Sequence, residues 1–317
     1  MPARRPVHVL VYDKSDAARY AGLVRAPRGR IVVHVASTPA EAAAHVADAD
    51  VIYAWKFPPE LYAKAECLRW LHGMGAGVEW ALVPALPSHV VVTRAPGVFG
   101  PWMAEYVLGW CLWVTQRMDA YRDAQRRRAW ISHVAPERLA GKTLAIVGLG
   151  DIGRVVAGLA RAFGMRVVGV TRSGRRISGI ERVYPGRALR RALGGADFVV
   201  VILPLSDRTR GMIGEAELAA MRPTAWLLNI GRGPVVDEAA LLRALERRTI
   251  AGAVLDVFPT EPLPPDHPLW TMDNVVITPH MSGPNTPEGL APIFNENLAR
   301  FLTGRPVRHV VDRTRGY

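Results

Sequence analysis

Residues 143–153 read TLAIVGLGDIG. TLAIV is a short, unbroken apolar run of the kind a parallel strand carries when both of its faces are covered. Gly148-Leu149-Gly150-Asp151-Ile152-Gly153 follows at once and opens a helix expected over 152–163. A bare GxGxxG is a weak signal, but between a strand and a helix it reads as the pyrophosphate turn of a dinucleotide site. Gly148 permits the tight turn, Gly150 lets a phosphate approach the backbone, and Gly153 lets helix and strand pack closely. The free N–H groups at the helix start face the anion.

Working outward, strands are expected at 166–170, 198–203, 225–230, 251–256 and 274–278, with a helix at 237–247. Upstream, VHVLVY (7–12), IVVHV (31–35), VIYA (51–54), LRWL (68–71) and VVVT (90–93) read as strands, with helices over 16–24 and 39–48. Such alternation predicts parallel sheets covered on both faces. The stretch from 101 to about 130 is helical, with Met103, Val107, Trp110, Cys111, Val114 and Met118 recurring at three- and four-residue steps. Glu105, Gln116, Arg117 and Asp119 interrupt it short of the ~20 residues a membrane span needs. The last helix is expected over 288–303, and 307–311 is expected to pair back onto the first domain. The chain thus leaves a first domain near 97, builds a second over 98–285, and returns for 286–317.

The chain has 317 residues, half of them hydrophobic, which suits about two domains and excludes disorder over most of its length. Cys67 and Cys111 are its two cysteines, too few for a disulfide framework or a Cys-based zinc site, so no metal and a reducing, cytoplasmic compartment are expected. The formal net charge is +12, and all but four of the 40 basic residues are Arg. That balance raises nucleic acid, a membrane surface or a phosphorylated small molecule as partners. No helix-turn-helix, zinc or RNP motif appears, so the first is set aside along with the membrane. Arg is densest at 122–128, at 172–191 and in the C-terminal tail.

The middle cluster bears on the cofactor. An NAD site expects a carboxylate about 20 residues beyond the glycines, for the adenosine ribose. The sequence reads Val170-Thr171-Arg172-Ser173-Gly174-Arg175-Arg176, with no carboxylate before Glu181. Arg172 with Arg175 or Arg176 would instead clamp a 2′-phosphate, helped by the Thr171 and Ser173 hydroxyls. NADP is therefore the expected cofactor, with NAD the alternative.

Three segments stand at expected strand ends: NIGRGPVVDE (229–238), LDVFPTEPLP (255–264) and ITPHMSG (277–283). Each alone has a plain reading, since a lone His is more often structural and Glu261 alone would be solvated. In this order, behind a dinucleotide turn, they meet the needs of reducing a 2-oxo acid. Arg232 supplies a cation for the substrate, His280 a proton donor for the carbonyl oxygen, and Glu261 a carboxylate favouring the protonated donor.

With GLGDIG, these segments resemble the D-isomer-specific 2-hydroxyacid dehydrogenase family from about residue 70 to the C-terminus, in feel its glyoxylate/hydroxypyruvate reductase branch. The resemblance implies two doubly wound parallel-sheet α/β domains, flavodoxin-like and Rossmann, joined by a hinge: a substrate domain of 1–97 plus 286–317 and a dinucleotide domain of 98–285. It implies that Arg232 anchors the substrate and that His280 is the acid/base paired with Glu261. Gly75-Ala76-Gly77, in LHGMGAGVE (71–79), would offer N–H groups to the substrate carboxylate. Asp256 and Ile230, with Pro204 and Thr209 of LPLSDRTRGMI (203–213), would lie on the cofactor side, and a homodimer would form through the helix after 100. Trp55, Met74 and Trp102 are candidates for shaping the substrate pocket. Formate dehydrogenase relatives carry Gln where this chain has Glu261, which disfavours that subtype. The alternatives are an NAD(H)-dependent dehydrogenase for a larger 2-oxo acid and a non-enzymatic dinucleotide-sensing regulator.

Overall fold

A computed structural model describes residues 5–316. The chain divides into two compact units, one running to Val98 and resuming at Asn285, the other spanning Phe99–Pro284.

In the first unit β1 (Val7–Tyr12), β2 (Ile31–Ala36), β3 (Val51–Ala54), β4 (Trp70–Gly73) and β5 (Val91–Thr93) form one parallel sheet in the order β2-β1-β3-β4-β5. Helices α1 (Ala17–Gly22) and α2 (Pro39–Ala43) connect the first three. α2 starts where a capping box allows: the Thr38 hydroxyl accepts from Glu41 N–H, Glu41 reaches back, and Pro39 takes the first helical position. β4 starts two residues later than the apolar run LRWL predicts: Leu68 N–H is spent on the Ala65 carbonyl of the preceding turn, and pairing with β3 begins at Trp70. The chain returns through the helix Pro287–Leu302, whose Phe294 stacks on Tyr53 at 4.1 Å and Trp70 at 5.3 Å. After it, 309–311 pair with β5 through an antiparallel bridge between Thr93 and Val310.

His72 lies fully buried beside these rings, its Nδ1 2.7 Å from the Thr93 hydroxyl. Burial pushes its pKa down to about 3. The folded chain thus resists protonating a group that the unfolded chain protonates below about pH 6.5. Stability from His72 is present above that value and is expected to fall as pH drops toward 3. Thermal melts along a pH series check this, and His72→Asn should flatten the slope.

The second unit opens with α3 (Gly100–Thr115) and α4 (Met118–Arg126). The single helix expected to about 130 is broken at Arg117, whose φ of +52° is left-handed. β6 (Thr143–Val147), α5 (Asp151–Ala162), β7 (Arg166–Thr171) and β8 (Arg182–Pro185) follow, then α6 (Leu189–Leu193), β9 (Phe198–Val201) and α7 (Glu215–Ala219). The unit ends with β10 (Trp226–Asn229), α8 (Glu238–Glu246), β11 (Gly252–Leu255) and β12 (Val275–Ile277). Its sheet is parallel throughout, in the order β12-β11-β10-β9-β6-β7-β8. β6, β9 and β11 are buried along their whole length, as their apolar runs predict. β8 escapes the sequence reading: an edge strand of RVYP, partly exposed, carries no apolar run, and its Pro suits only an edge.

Strand order reverses between β6 and β9. In open α/β sheets ligands bind at the carboxyl ends of the strands, at such a switch point.

Candidate active site

Gly148 sits at that switch point. Its φ is +111°, and a Cβ there would strike the carbonyl oxygen of Ile202, just past β9. The turn therefore closes only around a glycine. Gly150 caps α5 with open space around its Cα, so the amino end of the helix is accessible. A Cβ on Gly153 would meet the Gly148 carbonyl oxygen and, at 3.3 Å, Ile146 Cγ2, which is the close helix–strand approach the motif requires. Asp151 is exposed on the first turn, and Ile152 is half-buried beside it.

At the end of β7 the Thr171 hydroxyl accepts from Gly174 N–H at 2.9 Å and shapes the following turn. The Ser173 hydroxyl accepts from Arg175 N–H at 3.3 Å. Arg172, Ser173, Arg175 and Arg176 are all exposed around this turn. Pro204 and Thr209 belong to a loop that braces itself. The Thr209 hydroxyl donates to the Pro204 carbonyl at 2.7 Å and accepts from Ser206 N–H at 2.8 Å.

Arg232 follows β10 in a segment with little freedom. A Cβ on Gly231 would lie 2.8 Å from the Leu203 carbonyl oxygen, and one on Gly233 would collide with the Phe258 backbone. Asn229, buried at the strand end, ties the loop by donating to the Arg232 carbonyl at 3.2 Å and accepting from Gly231 N–H at 3.3 Å. Ile230 is buried. The Arg232 guanidinium donates to the Gly231 carbonyl at 2.8 Å.

The Phe258 backbone that Gly233 touches also turns toward Glu261, whose Oε1 accepts from Phe258 N–H at 3.1 Å. Glu261 Oε2 lies 2.8 Å from His280 Nδ1. With Nδ1 committed to the carboxylate, Nε2 is the nitrogen left for proton exchange. The two side chains are 36% and 26% exposed, so the pair is accessible from solvent. Gly148, Gly231, Gly233, Glu261 and His280 are therefore linked through the backbone at 202–203 and 258, at the carboxyl ends of neighbouring strands. Asp256 is fully buried, and its carboxylate is engaged by Thr278, Met281 and Ser282. Asn229, Thr278 and Ser282 carry this scaffolding and had no role in the sequence reading. A buried Asn closing an apolar strand was a signal for the first; the other two had none of their own.

The remaining candidates belong to other elements. Trp55 and Gly75 follow β3 and β4, adjacent strands of the first unit, and a Cβ on Gly75 would strike the Trp55 ring. Ala76 and Gly77 are half-buried. Met74 is fully buried core, and Trp102 is 51% exposed on α3. Among the described residues no group of three His, Cys, Asp or Glu is placed to hold a metal, and no helix is long and apolar enough to cross a membrane.

Residues 108–282 match the family model for the D-isomer specific 2-hydroxyacid dehydrogenase NAD binding domain. A glyoxylate reductase of Aeropyrum pernix is 36% identical over 280 residues, covering 84% of this chain and 84% of its own. A glyoxylate/hydroxypyruvate reductase A of Serratia proteamaculans is 33% identical over 85% of this chain and 88% of its own. The crystal structure of an NADPH-dependent glyoxylate/hydroxypyruvate reductase from Sinorhizobium meliloti, in complex with NADP and sulfate, superposes with a TM-score of 0.88 at 31% identity. It covers 99% of this chain and 100% of that one. With its two parallel α/β sheets, its glycine turn at the switch point and its Glu261–His280 pair, the chain belongs to the D-isomer specific 2-hydroxyacid dehydrogenase family.

Proposed function

We propose that this chain is an NADPH-dependent reductase of small 2-oxo acids of the glyoxylate and hydroxypyruvate kind. The observation that carries the reading is the 2.8 Å Glu261–His280 pair, held at the strand ends that also carry the Arg232 loop and the glycine turn.

The open space at Gly150 and the four exposed residues beyond β7 fit a dinucleotide bearing a 2′-phosphate. Gly148–Gly153 take its pyrophosphate, and Arg172 with Ser173, Arg175 and Arg176 takes the 2′-phosphate. Thr171 shapes that turn, while Pro204, Thr209, Ile230 and Asp256 lie on the cofactor side. The bound nicotinamide supplies the hydride received by the 2-oxo carbon. Arg232 holds the substrate and stabilises charge developing on the carbonyl oxygen. His280, as an imidazolium, gives that oxygen a proton from Nε2, and Glu261 holds the ring in place by accepting from Nδ1–H. Gly75, Ala76 and Gly77 are assigned to the substrate carboxylate, and Trp55 to shaping the substrate's surroundings. This gives substrate and dinucleotide roles to the first and second units.

The chain is read as a cytoplasmic homodimer joined through α3, where Trp102 is exposed; light scattering on the purified chain checks its assembly. The decisive assay is steady-state turnover of glyoxylate, hydroxypyruvate and larger 2-oxo acids with NADPH and NADH. A strong NADPH preference with the small acids is expected, and equal kcat/KM for the two cofactors overturns the NADP assignment. Arg172→Asp removes at least one charge-assisted bond to the phosphate, so the NADPH:NADH ratio of kcat/KM should fall about a hundredfold. An unchanged ratio would place the 2′-phosphate elsewhere.

A further inference from the structure

His280 has a φ of +53°, a region that a residue other than glycine keeps only where its surroundings hold it there. One residue does most of that holding. The Asp256 backbone carbonyl accepts from His280 N–H at 2.8 Å. Its Oδ1 accepts from Met281 N–H at 2.8 Å and from the Thr278 hydroxyl at 2.6 Å, and its Oδ2 accepts from Ser282 N–H at 2.9 Å. A single buried carboxylate thus ties the chain on both sides of the histidine.

The chain of contacts continues one step further. The Tyr106 hydroxyl lies 2.6 Å from the Thr278 hydroxyl, across 172 residues of sequence. Its direction follows from valence. Both Asp256 oxygens already accept from backbone N–H groups, so the Thr278 hydroxyl donates its one proton to Oδ1. Tyr106 must then be the donor to Thr278. Burial pushes the phenol pKa up and keeps that proton in place. Linked hydrogen bonds of this kind polarise and orient one another, and loss of the first leaves the next hydroxyl free to turn.

We propose that Tyr106, on α3, is a positioning residue for His280, acting through the Thr278 hydroxyl and the Asp256 carboxylate. The inference rests on the reading of His280 as proton donor, but its physical content, the fixing of the 280–282 loop, can be measured without turnover.

The test compares the parent chain with Y106F, T278V, T278S and the Y106F/T278V double variant. Hydrogen exchange at the Met281 and Ser282 amides, with no cofactor present, should quicken about tenfold in Y106F and T278V, while β6 amides keep their protection. T278S, which keeps the hydroxyl, should recover most of what T278V loses, and the double variant should exchange no faster than T278V alone. With glyoxylate and NADPH, Y106F should lose about tenfold in kcat at nearly constant KM for NADPH, as a small misplacement of the acid would cause. Parental exchange in Y106F, or losses that multiply in the double variant, overturn the proposal. So does a kcat equal to the parent's despite faster exchange. Faster exchange in a family of variants whose parent reduces no 2-oxo acid overturns the functional reading instead and leaves Tyr106 as the anchor of the loop.

Discussion

Replacing His280 with alanine is expected to lower kcat about a thousandfold, the middle of the range for a lost general acid. The size follows from the geometry. Hydride arriving at the 2-oxo carbon leaves an alkoxide, and the proton must reach it within the same site. In the proposed mechanism His280 meets that need: its Nδ1 is held 2.8 Å from Glu261 Oε2, which leaves Nε2 to serve as the donor. Alanine removes the proton and the ring together, and water must take over the transfer. NADPH affinity should stay near the parental value, because the phosphate contacts are assigned to the Gly148–Gly153 turn and the arginines beyond β7. Glu261→Gln separates orientation from chemistry. A Gln side chain can present its NH2 to Nδ1, which must then be unprotonated, so the ring is held neutral and lacks the charge that makes its Nε2–H an acid. It should therefore lose much of kcat with the histidine still present. Steady-state kinetics with NADPH fluorescence titration measures both effects, and near-parental turnover in His280→Ala would remove the histidine from the mechanism.

How much of this was legible depended on whether a residue's role is local. The glycine turn was readable because much of what constrains it is local, a positive φ at Gly148 and a helix packed against the preceding strand at Gly153; the Ile202 carbonyl that also abuts Gly148 was not. The Glu261–His280 pair was readable only as a set of segments in a recognisable order; no spacing rule brings 261 to 280. Asp256 was noticed for the cofactor side, yet its oxygens are seen engaged by the chain that carries His280. Thr209 likewise spends its hydroxyl inside its own loop. Tyr106 was invisible, since its partner is 172 residues away and its neighbours read as an apolar helix face. The break at Arg117 was missed for a related reason: the periodicity of α3 and α4 is compatible with one helix, and a left-handed residue leaves no apolar signature. Patterning thus located the buried strands, while the edge strand β8 and the side chains that hold other side chains emerge only in the folded chain.

The charge balance was the most misleading part of the sequence, and Arg232 shows how little the total matters. Its Arg→Ala replacement is expected to lower kcat/KM by two to three decades, about the cost of removing one partner from a desolvated, hydrogen-bonded charge pair. Both parameters should move. In the proposed mechanism the guanidinium binds the 2-oxo acid before reaction, so its loss should raise KM. There it would also face an oxygen that becomes more negative as hydride arrives, so its loss should lower kcat as well. Arg232→Lys distinguishes charge from shape. The ammonium keeps the charge but lacks the planar fork. Its stem would start from a backbone wedged between Leu203 and Phe258 by Gly231 and Gly233, a backbone that has little room to shift and bring the shorter cation into place. Lysine should therefore recover part of KM and little of kcat. Full recovery by lysine would mean that the site needs only a positive charge, and an alanine variant with parental KM would mean that the substrate is anchored elsewhere. Exposed arginines elsewhere offer a useful contrast: Arg127, ion-paired with Asp123 on α4, should change neither parameter when made alanine, because an exposed pair of that kind contributes little. The same residue type, separated only by the backbone that presents it, thus gives opposite expectations.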